Sequence, residues 1–406
     1  MQHLLSLPTN PLSVMALRES PTAFVDKTAI VYQLATGRQK CFLSRPPRFG
    51  KTCLVSILEA LFKHGLRDFQ GLAIDKLWKE KTYNTIRLDF ARVTDFGTVD
   101  LFRQQFYTLL SGALAEMGFE WDGQALSFVY QLAKWFRMQP DTSLVILIDN
   151  YDAPLIKAQP HEALLIGVQK VIGEFFSLLK SEDACCRFLF ITGVTRLNFS
   201  TLFAGINQLS DITFDPTYST LLGFTEDELM AYFGASLNAA AARLGVSLQA
   251  LIEQMRVHCG GYTFDQAAKT QVYCPWLVIR FLECQTFERI VDEYLPASDK
   301  AVIKRAMALS MLEKLMAFED TVPMSSRKLM GGAMPKPDDI KIWLWQTGCL
   351  TIRSVNLAGN FLLGYPNRTV EAIVGQLYAG NSLWASCDGY LSQNKKMGRR
   401  ERERRP

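Results

Sequence analysis

Eight consecutive residues, Arg45-Pro46-Pro47-Arg48-Phe49-Gly50-Lys51-Thr52, have types and spacing suited to holding a chain of phosphates. Such a loop needs backbone N–H groups turned inward around an anion, with the N-terminus of a helix behind them. It also needs a lysine for the β and γ oxygens and a hydroxyl for a magnesium ion. Gly50 suits close approach of the backbone, Lys51 supplies the ammonium and Thr52 the hydroxyl. The pattern GxxxxGK[ST] asks for glycine where this chain has Arg45, and Pro46 and Pro47 are the residues that would hold a related turn rigid. Gly50-Lys51-Thr52 alone also occurs in unrelated loops, so its surroundings decide.

Asp149 ends the aliphatic run Ser143-Leu-Val-Ile-Leu-Ile-Asp149 and is the expected partner of Thr52 in a Mg²⁺ site, holding the ion through its water shell. The alternative is an acid that merely ends a strand. Asn150 follows where hydrolysis would call for a carboxylate: an amide orients water but takes no proton from it. Asp152 replaces that carboxylate if the strand geometry continues past Asp149. Thr192 ends the next apolar run, as a sensor of the γ-phosphate or the water, or as a hydroxyl satisfied by backbone. Arg196 follows as a candidate for contact with phosphate or a neighbouring subunit, with an ordinary ion pair as the alternative.

These residues need a parallel sheet to bring them together. Lys40–Ser44 reads as a strand entering the loop, and the apolar spacing from Cys53 to His64 reads as the helix leaving it, stopped by Gly65. Asn84–Ala91, Ser143–Asp149 and Arg187–Gly193 read as further strands. Helices are expected over 99–117, 123–136 and 161–180. Continuous aliphatic strands alternating with helices predict an α/β fold, a parallel sheet flanked by helices, with ligands at the carboxyl ends of the strands. The chemistry is therefore expected at Ser44, Asp89, Asp149 and Thr192. Helices at 225–233, 236–244, 247–259 and 275–284 suggest a lid-like region, and another is expected over 296–316. Helix and two short strands from 340 to 380 suggest a winged-helix-like module. The expected division is an N-terminal segment 1–19, a nucleotide domain 20–215, a helical region 216–295, the module 296–385 and a disordered basic tail 386–406.

Composition narrows the function classes. With 406 residues, 49% hydrophobic and 21% charged, the chain is ordinary globular material. Its longest apolar runs, such as Leu144–Ile148, fall far short of a membrane span, and no secretory signal is expected, so the expected compartment is the cytoplasm. Nine cysteines without a CxxC pair, and four histidines without metal-ligand spacing, predict reduced thiols and no zinc site. The net charge of +4 resides in residues 395–406, which hold seven basic and two acidic side chains, leaving 37 Lys+Arg against 38 Asp+Glu elsewhere. The body is near neutral, which weakens a nucleic-acid reading; the tail could touch phosphates or be a solvated end, and a DNA-associating reading would use the C-terminal module with the tail.

In order along the chain, several motifs resemble the bacterial predicted AAA-ATPase family. They include Phe24-Val-Asp-Lys-Thr28, Phe42-Leu-Ser-Arg-Pro46, Arg48-Phe-Gly-Lys-Thr52, Ile148-Asp-Asn-Tyr-Asp152 and Phe190-Ile-Thr-Gly-Val194. Leu221-Leu-Gly-Phe-Thr-Glu226, Gly260-Gly-Tyr-Thr-Phe264 and Tyr273-Cys-Pro-Trp276 continue the likeness. The resemblance implies an AAA-like P-loop domain that binds ATP with Mg²⁺, and it implies that arginine at position 45 is a family trait. It also implies a glutamate at position 150, so Asn150 is particular to this chain, as is Cys274 for asparagine. The family is often fused to a PD-(D/E)XK nuclease-like domain; the segments Gln346–Ile352 and Tyr365–Val370 resemble the region just upstream of it, and no nuclease activity is expected. Three readings follow: an ATPase with slow turnover, a non-catalytic nucleotide-dependent switch or scaffold, and a DNA-associating protein. A homo-oligomer is compatible with the resemblance, which fixes no oligomeric state.

Overall fold

The computed structural model describes residues 24–37, 39–196, 199–204, 206, 208–287, 294, 318–331 and 340–379. After helix α1 (Thr28–Gly37) come β1 (Lys40–Ser44), α2 (Lys51–His64) and β2 (Asn84–Asp89). Helices α3 (Val99–Leu114) and α4 (Ala125–Arg137) lead to β3 (Leu144–Asp149), and α5 (Ala153–Ala158) and α6 (Glu162–Ser181) to β4 (Cys186–Gly193). A single turn of helix, α7 (Phe199–Leu202), precedes the two-residue β5 (Ser210–Asp211).

These five strands form one sheet in the order β2-β3-β4-β1-β5, parallel throughout. Their sequences reflect their places. β1 and β3 are buried at every position, as strands with neighbours on both sides and helices on both faces must be. β2, at the edge, alternates: Ile86 and Leu88 are buried while Arg87 reaches Glu59 and Ser56 of α2 on the other face. Phe90, Phe106 and Phe175 meet edge-on beneath α3 and α6, and such buried rings contribute roughly 1.5–3 kcal/mol each. Register aligns Ser44 with Gly193 and Asp89 with Asp149, so the expected chemical residues do share one end of the sheet.

The remaining described elements are α8 (Glu226–Leu244), α9 (Leu248–Cys259), the ribbon β6 (Tyr262–Thr263) and β7 (Gln271–Val272), and α10 (Pro275–Cys284). Then come β8 (Val322–Met324), α11 (Ser326–Met330), α12 (Ile340–Gln346), β9 (Thr351–Val355), β10 (Phe361–Gly364) and α13 (Arg368–Ala379). The last three strands make an antiparallel sheet, β8-β10-β9.

One departure from the sequence reading is that α8 is a single helix where two were expected around Gly234. A glycine in a helix interior costs about 1 kcal/mol. The capping box of Thr225 and Glu228 and the buried face Leu229, Phe233, Leu237, Ala240 and Ala241 outweigh it. The expected helix at 296–316, the N-terminal segment 1–19 and the tail 386–406 lie outside the described residues. One contiguous hydrophobic core runs from Val25 to Leu377. Among the described residues no helix is long and apolar enough to cross a membrane.

Candidate nucleotide site

The loop between β1 and α2 has a backbone of alternating hand. Arg48 has φ +70° and Gly50 φ +88°, while Phe49 between them is not in the positive region. Successive N–H groups in such an alternation converge into a hollow that suits an anion. Gly50 is required for its conformation and not for space, since an added Cβ would meet nothing within 4 Å. Behind it, α2 starts without a side-chain cap and without an acidic residue in its first turn. Its hydrogen-bond ladder begins only at Leu54, whose N–H donates to the Gly50 carbonyl at 3.0 Å. The positive end of the helix dipole therefore opens into the hollow.

Arg45, the residue in place of the first glycine, has a structural role. It is 1% exposed, and its guanidinium donates to the carbonyls of Ser44 (2.9 Å), Thr213 (2.7 Å) and Tyr218 (3.2 Å) while lying 4.3 Å over the Phe264 ring. Pro46 and Pro47 are buried, and Phe49 packs edge-on against Tyr262 and Phe264. Arg48 is exposed, with its guanidinium over Trp276 and its Nε 3.4 Å from the Tyr294 carbonyl. The Cys274 thiol reaches the Arg48 carbonyl at 3.8 Å. Lys51, 7% exposed, folds back so that its ammonium donates to the carbonyls of Arg45 and Pro46, each at 2.9 Å.

Asp149 is fully buried. Its Oδ1 accepts the Asn150 N–H at 3.0 Å, and its Oδ2 has no hydrogen-bond partner among the described residues. Burial raises its pKa and the neighbouring Asp89 raises it further, against the pull of the Thr52 hydroxyl, Lys51 and Arg87. A buried carboxylate oxygen left unpaired is unusual, because desolvation without a partner costs about 1–3 kcal/mol or more. With the half-exposed Thr52 beside it, this oxygen is what a Mg²⁺ ion would require. That ion keeps most of its coordination for water and phosphate, and it needs no cluster of protein ligands. No group of three His, Cys, Asp or Glu suited to a metal occurs among the described residues.

The other expected residues divide. Strand geometry stops at Asp149, because Asn150 turns the chain at φ +51° and sends its side-chain amide to the Asp89 carboxylate, Nδ2 to Oδ1 at 3.0 Å. Asp152 consequently faces β4. It is 2% exposed and accepts from the N–H groups of Val194 (3.1 Å) and Thr195 (2.5 Å) and from the Thr195 hydroxyl (2.6 Å). Gly193 leaves room for it, since a Cβ there would lie 2.5 Å from Asp152 Oδ1. Thr192 is buried with its hydroxyl donated to the Leu43 carbonyl at 2.8 Å. Arg196 is 2% exposed and bound to Asp211 and to the Met330 carbonyl. The geometry therefore gathers 45–52, Asp149, Asn150 and Asp89 around the hollow and ties Asp152, Thr192 and Arg196 into the scaffold.

Sequence reading missed the cover on the loop. Gly348, at φ +79°, sits so close to Pro46 that a Cβ would lie 2.7 Å from the ring. Trp345, Gln346, Leu350 and Thr351 join Tyr262 and Phe264 around Ser44, Arg45 and Pro46. The signal was present only as a glycine in a helix-to-strand connection, with no hint of its partner.

Residues 13–203 match the family described as predicted AAA-ATPase. The match spans every strand of the sheet except β5, and it holds the whole hollow with Asp89, Asp149 and Asn150. A protein of Azotobacter chroococcum mcd 1, described as an uncharacterized protein in the vnfD 5′ region, is 25% identical over 362 residues. That alignment covers 87% of this chain and 66% of the relative, so the chain spans just under two thirds of its length. Among solved structures, the chain is similar to a Signal Transduction ATPase with Numerous Domains (STAND) protein with a tetratricopeptide repeat sensor from Pyrococcus horikoshii. The identity is 13% and the TM-score 0.29, over 87% of this chain and 42% of that one. A structure of Drosophila ORC bound to DNA aligns at 12% identity with a TM-score of 0.32, over 93% of this chain and 95% of that one.

Proposed function

We propose that this AAA-ATPase-like chain binds ATP with Mg²⁺ in the hollow of residues 45–52. The observation that carries the reading is the alternating backbone at Arg48 and Gly50 ahead of a helix with no side-chain cap, a shape that suits an anion. The phosphate chain enters that hollow, and its oxygens replace the Arg45 and Pro46 carbonyls as acceptors for the Lys51 ammonium. Thr52 and Asp149 are the residues that would hold Mg²⁺, which would supply charge neutralisation on the phosphates. Turnover is slow, because the residue after Asp149 is an amide already engaged with Asp89.

A second reading, a nucleotide-dependent switch, is favoured by the Gly348–Pro46 contact. Tyr262 and Phe264 together with the connection from α12 to β9 pack against Arg45 and Pro46, so a shift of the loop on binding reaches them directly.

Calorimetric titration of the full chain with ATP, with and without Mg²⁺, tests the nucleotide reading. Saturable binding that strengthens with Mg²⁺ and weakens about a hundredfold in Lys51→Ala is the expected result; no binding by the native chain overturns it. Partial proteolysis of the segment 340–379 with and without ATP tests the switch, which predicts a changed cleavage rate.

A further inference from the structure

The carboxylates around the hollow are mostly committed. Asp152 receives three hydrogen bonds from Val194 and Thr195, and Asp211 holds Arg196 and the Thr213 N–H. Asp149 stands beside Thr52. Asp89 differs from all of these. It is half-buried at the carboxyl end of β2, in register with Asp149 on the adjacent strand. Among the described residues its hydrogen bonds, from the Ala91 N–H at 3.1 Å and the Asn150 amide at 3.0 Å, fall on Oδ1 alone. Asp89 also shares a sheet face with Arg87, two residues earlier, and that face carries α2, whose N-terminus forms the hollow.

From this juxtaposition we propose that Asp89 is the carboxylate that takes the proton from the attacking water, with the Asn150 amide positioning it. The proposal rests on the Mg-ATP reading above. Asn150 gives one amide N–H to Asp89, and its own carbonyl oxygen remains an acceptor that orients a water O–H. Carboxylate and amide thus divide a task that a glutamate at position 150 would perform alone. In the step, a bond forms between the water oxygen and the γ-phosphorus. The bond from that phosphorus to the β,γ-bridging oxygen breaks, and its electron pair leaves with ADP. The water proton passes to Asp89 Oδ2 and from there to solvent, leaving inorganic phosphate.

The test measures phosphate release and ATP affinity on the full-length chain and on Asp89→Asn, Asn150→Glu and the reciprocal double variant Asp89→Asn/Asn150→Asp. Asp89→Asn keeps the shape of the side chain and removes its basicity. The expected result is a loss of turnover of about a hundredfold or more, with ATP affinity within about threefold of native. The double variant returns a carboxylate to the pair and should recover at least about tenfold of the lost rate. Native turnover that survives Asp89→Asn overturns the proposal, as does a native chain that binds ATP without cleaving it. In that second case the nucleotide reading stands. A native chain that fails to bind ATP overturns both.

Discussion

The Lys51 ammonium lies 2.9 Å from the Pro46 carbonyl and equally close to that of Arg45, so the loop holds its own lysine through backbone acceptors. Lys51→Ala removes the internal latch and, on the nucleotide reading proposed above, the ligand for phosphate. ATP affinity should fall about a hundredfold, near 3 kcal/mol, since hydrogen bonds to charged groups contribute about 1.5–3 kcal/mol each. Calorimetric titration reads the change, and native affinity in the variant would remove Lys51 from the site.

Restoring glycine at the first loop position should harm the protein. Arg45→Gly deletes a buried guanidinium that holds three carbonyls from Ser44, Thr213 and Tyr218. A loss of about 3–5 kcal/mol in urea unfolding is expected. An unchanged midpoint would mean that the arginine is dispensable packing.

Asp149 gives a pH signature. Burial raises its folded pKa above the unfolded value of about 3.9, so the folded state holds the proton more tightly. Stability is therefore lost as pH rises from about 4 through the folded pKa, above which the penalty is fully present. Asp149→Asn should be more stable than native by about 1–2 kcal/mol at pH 7, and the gain should vanish near pH 4. Melting temperatures at the two pH values test this, and the same variant should lose the Mg²⁺ enhancement of ATP binding.

Gly348→Ala combines an unfavourable left-handed backbone with a Cβ placed 2.7 Å from the Pro46 ring. The expected cost is about 2–3 kcal/mol. Amide hydrogen exchange should accelerate over 340–379 and at the loop together; acceleration at 340–379 alone would show that the contact does not couple them.

Arg196, bound to Asp211 and the Met330 carbonyl, is enclosed within its own chain. Arg196→Ala leaves Asp211 without its cationic partner and should cost about 3 kcal/mol or more in denaturant unfolding. Mixing it with a Lys51→Ala chain should restore no turnover, because an arginine held in this way does not reach a neighbouring subunit. Recovery of activity in the mixture would contradict that.

Much of this protein was legible without coordinates, and for physical reasons. Strands buried on both faces must be continuously apolar, so β1, β3 and β4 announced themselves, and an anion-binding loop must supply glycine, lysine and hydroxyl in fixed order. Position along the chain thus determined the α/β class and the placement of Lys51, Thr52, Asp149 and Asn150 at one end of a sheet. Direction of side chains was another matter. That Asn150 turns at φ +51° toward Asp89, that Asp152 swings to Thr195, and that Arg45 points into the core depend on dihedral angles and on neighbours brought from 61, 43 and 168 residues away. The same holds for Gly348 against Pro46. Sequence pattern fixes which elements form because hydrophobic burial repeats with their period. Which polar groups meet at their ends is decided only when the chain folds, by the need of each buried donor and acceptor to find a partner.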